Sequence, residues 1–68
     1  MKTSKEGAWI RVTWEKGDEE DIERARSFFM KLTRQGWLAA RRDGEYRRVL
    51  EFRPEHGELW FIPFSEGG

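Results

Sequence analysis

A chain of 68 residues with no cysteine and one histidine has room for a single small domain, and it excludes disulfides, thiolate metal sites and multi-histidine centres. Its charge is balanced, 13 Lys and Arg against 13 Asp and Glu, which disfavours a protein built mainly to coat nucleic acid. No apolar run approaches the ~20 residues of a membrane span, and the opening MKTSKEGAW lacks an apolar signal core. The expected location is the cytoplasm, or a virion if the gene is viral.

Residues 1–7 are polar and read as a disordered N-terminal tail. AWIRVTWE, residues 8–15, alternates as a strand, with Ile10, Val12 and Trp14 on one face and Trp9, Arg11 and Thr13 on the other. KGDEED turns the chain into a helix over about 19–35. Asp18 is its N-cap, and Glu19, Glu20 and Asp21 lie at the positive end of the dipole. Ile22, Ala25, Phe29 and Leu32 form the buried stripe, flanked by Phe28, and Gly36 ends the helix.

WLAARR and EYRRVLEFR flank Asp43-Gly44, a hairpin signal. A strict two-residue loop places Trp37, Ala39, Tyr46, Leu50 and Phe52 on one face and Leu38, Ala40 and Val49 on the other. A bulge near Arg47 and Arg48 is the alternative. Pro54 and Gly57 suit a turn in RPEHG, and ELWFIPF, residues 58–64, is the last strand. The fold class is therefore α+β in two layers. One helix packs on a small, mostly antiparallel sheet in the order strand-helix-strand-strand-strand, with the domain at 8–64 and a flexible tail at 65–68.

The C-terminal half resembles small bacterial and phage proteins of unassigned activity. The shared pieces are Gly36-Trp37, Glu51-Phe52-Arg53-Pro54, Leu59 to Pro63, and Gly67-Gly68. A terminal Gly-Gly after a strand is also similar to ubiquitin-like carriers. That resemblance implies a tail ending in Gly67 and Gly68 that threads into an activating enzyme. Those carriers place a full hairpin before the helix, where the pattern here gives one strand.

No phosphate loop, nucleophile elbow or nucleophilic cysteine is present, so the protein reads as a non-enzyme with no cofactor and no metal. His56 reads as a solvated turn residue, and the acids at 18–21 as complements of the helix dipole. Arg41, Arg42, Arg47 and Arg48 could contact nucleic acid, with Trp37 and Tyr46 nearby for stacking. The aromatic excess, four Trp, five Phe and one Tyr, is larger than one small core should need. A single helix covers one sheet face, so the open face should expose apolar residues of the last strand. Trp9, Trp60, Phe61, Ile62 and Phe64 are the expected protein interface. A core this small supplies only ~3–5 kcal/mol, so self-association is expected as well. The partners read from the sequence are a second copy of the chain and another protein, with nucleic acid as the alternative and no membrane. The resemblance implies a phage or a bacterium, and the source reads as a thermophile, because Asn is absent and Gln35 is the one glutamine. A GC-rich genome would leave the same bias.

Overall fold

The computed structural model describes residues 1–64. Two strands, β1 (Lys2–Glu6) and β2 (Trp9–Thr13), precede the helix α1 (Glu19–Arg34). Strands β3 (Leu38–Asp43) and β4 (Glu45–Arg48) follow, then a 3₁₀ turn (Pro54–His56) and β5 (Glu58–Ile62). One sheet contains all five strands in the order β1-β2-β5-β3-β4, and every neighbouring pair is antiparallel. The α+β reading holds, and the predicted succession of strand, helix and three strands is present as β2 to β5.

The addition is β1, and it corrects the expectation of a disordered segment at 1–7. Lys2–Glu6 pairs with β2 along its whole length, from Lys2 opposite Thr13 to Glu6 opposite Trp9. Gly7, at φ +67°, lets the two-residue connection reverse. The strand carries no apolar alternation because it is an edge exposed along its length, with Met1 just before it packed against the core. Its two lysines suit an edge that must not recruit another sheet. A hairpin therefore does precede the helix, contrary to the single strand read from the sequence.

Both ends of α1 form as their residues dictate. The Asp18 carboxylate accepts hydrogen bonds from the backbone N–H groups of Glu20 at 3.0 Å and Asp21 at 3.2 Å. At the other end Gly36 is left-handed, at φ +99°. Its N–H donates to the Thr33 carbonyl, and Trp37 N–H donates to the Leu32 carbonyl. This is the Schellman closure. The stripe Ala25, Phe29 and Leu32 is buried against Val12, Ala39, Val49, Leu59 and Phe61 of the sheet layer. Phe28 meets the Phe61 ring edge-on at 5.5 Å.

Phe61 was expected in the interface. It is 1% exposed and faces α1, so it belongs to the core. The parity of the last strand decides this: Phe61 stands opposite Ile10 and Ala39, and Leu59 opposite Val12.

The β3–β4 register also departs from the two-residue loop. Asp43 pairs with Glu45 across Gly44 alone, at φ +80°. The one-residue shift moves every β4 side chain to the other face. Val49 now shares the helix side with Ala39, whose carbonyl accepts from Val49 N–H at 2.8 Å. Tyr46 and Arg48 share the open side with Arg42 and Ala40. Burial of Val49 selects this register, and no bulge is needed to place Arg48.

The connection from 49 to 57 fills the helix layer where α1 does not reach. Phe52 lies 5.1 Å from the Trp14 ring and 6.0 Å from Phe29. Trp14 Nε1 donates to the Pro54 carbonyl at 2.9 Å, and Trp14 N–H donates to the Gly57 carbonyl. Gly57, left-handed at φ +70°, then turns the chain into β5.

Candidate binding face

Strand pairing places Trp9, Arg11, Trp60, Ile62, Leu38, Ala40, Arg42, Tyr46 and Arg48 on the side of the sheet away from α1. Three of these side chains form an aromatic cluster. Trp9 meets Tyr46 edge-on at 5.0 Å, Tyr46 meets Trp60 edge-on at 5.8 Å, and Trp9 lies 6.2 Å from Trp60. Edge-to-face contacts of this kind add to the area they bury. β2 and β4 have β5 and β3 between them, so side chains from well-separated strands converge on Trp60.

Arginines lie on this cluster. The Arg11 guanidinium sits 5.8 Å from the Trp60 ring centre, and Arg42 is 5.8 Å from that of Tyr46. Arg11 is also held by Glu58, its Nε donating at 2.6 Å. Arg42 and Arg48 have no carboxylate partner among the described residues, so they lend this face positive charge.

The cluster changes the expected character of the open face. Trp60 was expected to be exposed there, and it is 8% exposed, covered by its neighbours. Its Nε1 is buried without a hydrogen-bond acceptor among the described residues. Ile62 and Trp9 are half-buried, and Phe64 is exposed just beyond β5. Tyr46, at 43% exposure, is the most open ring of the cluster. Tyr46 and Arg11 were not among the residues read as the protein interface, although Tyr46 was read as a stacking residue beside the hairpin arginines. Alternation placed Arg11 beside Trp9, as the structure does, whereas the face of Tyr46 depends on a hairpin register that the sequence leaves open.

The four hairpin arginines do not form one group. Arg42 and Arg48 lie on the open face, while Arg41 and Arg47 stand opposite one another on the helix side. Arg47 approaches Glu45 at 3.7 Å. A second exposed apolar region lies beside the start of β3. There Leu50, 76% exposed, and Phe64 line a cleft of about 410 Å³ with Trp37 and Leu38.

Among the described residues, no group of three or more His, Asp or Glu side chains could hold a metal ion, and no helix is long and apolar enough to cross a membrane. Gly67 and Gly68, the possible carrier terminus, lie outside the described residues. No protein-family model, curated protein or solved structure matches the chain.

Proposed function

We propose that this protein is a non-catalytic protein-interaction module that binds through the open face of its sheet, with a second copy of the chain as one partner. The observation that carries the reading is the Trp9–Tyr46–Trp60 cluster bracketed by Arg11 and Arg42. Trp, Tyr and Arg are the residues that dominate interface energetics, and they do so at the centre of a patch. Here the rings are already packed against one another, so little rotamer freedom is left to lose on binding. Both sheet edges are short and charged, which favours association through the face over strand addition.

Single-stranded nucleic acid is the second reading. Arg42 and Arg48 share the face with the cluster and have no acidic partner among the described residues, an arrangement that suits phosphates beside stacked bases. The contacts favour protein over nucleic acid, because Arg11 and Arg42 already lie on the Trp60 and Tyr46 rings that a base would stack on.

The test is sedimentation velocity across a micromolar concentration series, with Tyr46→Glu as the perturbation. Tyr46 is exposed on an edge strand, so the variant should fold. The expected result is a dimer or higher assembly that the substitution dissociates. A wild-type monomer throughout the series would remove the second copy as a partner. Tight oligonucleotide binding that weakens steeply with salt would replace this reading by the nucleic-acid one.

A further inference from the structure

The connection from 49 to 57 and the β3–β4 hairpin enclose a cleft of about 530 Å³ on the helix side of the sheet. Arg41, Arg53 and His56 are among the residues that line it. A smaller cleft of about 270 Å³ continues on the other side of the turn, lined by Arg41, Arg42, Glu55, His56 and Glu58. This region centres on the helix side of the sheet, and Arg48 and Arg42, which share the open face, reach its rims.

The larger cleft is lined by three arginines, Arg41, Arg48 and Arg53, against two acids, Glu51 and Glu55. Arg41 has no carboxylate within 4.0 Å among the described residues, and Arg53 reaches only Glu51, loosely, at 3.8 Å. Both guanidiniums act on the His56 imidazole, with Glu55 alone opposing them. Arg48, Glu51 and Glu55 complete the charged lining. Two guanidiniums lining one cleft repel each other, and an anion bound between them relieves that repulsion. Their planar, forked donors fit a tetrahedral oxyanion better than a point charge would.

We propose that this cleft is a phosphate-binding site, in which Arg41 and Arg53 grip the phosphoryl oxygens beside His56. The exposed Leu50 and the buried Val49 give the cleft an apolar flank for the group that carries the phosphate. The same chemistry is offered by a free phosphomonoester and by the backbone of a nucleic acid. The site does not use the aromatic cluster of the sheet face, and its failure would leave the interaction reading untouched.

The experiment is an NMR titration of the His56 ring protons with inorganic phosphate and with adenosine monophosphate, at constant ionic strength set by chloride. A bound dianion favours the imidazolium, so the His56 pKa should rise on saturation. Arg41→Gln and Arg53→Gln should each weaken binding about tenfold, the worth of one charge-assisted contact. Arg47→Gln, on the same side but outside the cleft, should leave it unchanged. An unphosphorylated oligothymidylate separates the two sources. If it displaces phosphate, the natural ligand is a nucleic-acid backbone, and if it does not, the ligand is a monoester. A His56 resonance that responds no more to phosphate than to chloride overturns the proposal. So does a response that survives both cleft substitutions in variants with native amide dispersion.

Discussion

The two buried tryptophans show how differently one residue type can be used. Trp14 is 7% exposed and its Nε1 donates to the Pro54 carbonyl, fixing the 49–57 connection over the core. Trp60 is equally buried on the opposite face, and its Nε1 has no acceptor among the described residues. Replacement by phenylalanine removes a similar apolar area at both sites, so that loss cancels in the comparison. At Trp14 the substitution also strands a carbonyl. At Trp60 it removes a donor that was already unpaired. Trp14→Phe should therefore cost about 1–2 kcal/mol more than Trp60→Phe. Urea unfolding of the two variants reads this directly, and equal losses would show that the Trp14 hydrogen bond contributes nothing net.

At the scale of elements, α1 is specified by its ends and its stripe together. Asp18 satisfies two orphan N–H groups, and the three acids that follow complement the dipole. Asp18→Ala should lower stability by ~1 kcal/mol, or roughly 4–8 °C in Tm for a domain of this size. Calorimetry of the variant checks it, and an unchanged Tm would mean that Glu19 or solvent takes over the cap. Such signals are local, which is why α1, β2 and the Pro54–Gly57 turn were legible in the sequence. The face of β2 was legible for the same reason, since Ile10, Val12 and Trp14 alternate cleanly. β1 was not legible, because an exposed edge strand needs no apolar residue and leaves no periodic trace. Nor was the β3–β4 register, where Gly44 permits either loop and the choice rests on burying Val49 beneath α1, a tertiary fact. That one register decided which side chains meet on the open face. It sent Tyr46 to Trp60 and Trp9, and it divided arginines that are adjacent in sequence between two sides of the sheet.

For the whole molecule, His56 is the one side chain whose ordinary titration lies close to neutral pH. Burial of His56 pushes its pKa below the ordinary value of 6.5, and Arg41 and Arg53 push the same way against Glu55. The folded state therefore holds fewer protons on this ring than the unfolded chain does, in the interval between the depressed value and 6.5. Where the unfolded state binds more protons, stability rises with pH. The contribution from His56 is fully present above about 6.5 and falls as the pH drops toward the folded pKa. The turn that carries His56 also holds the Pro54 carbonyl on Trp14, so the loss is felt in the global transition rather than in a frayed end. The urea midpoint of the wild type should decline as the pH is lowered from 7.5 to about 5.5, a range that lies above ordinary carboxylate titration. His56→Gln keeps a polar side chain in the turn but cannot titrate, so its midpoint should stay flat over the same interval. A wild-type curve that is flat or rises toward acid would show that the imidazolium is accommodated in the folded turn, and parallel curves for the two proteins would assign the slope to other groups.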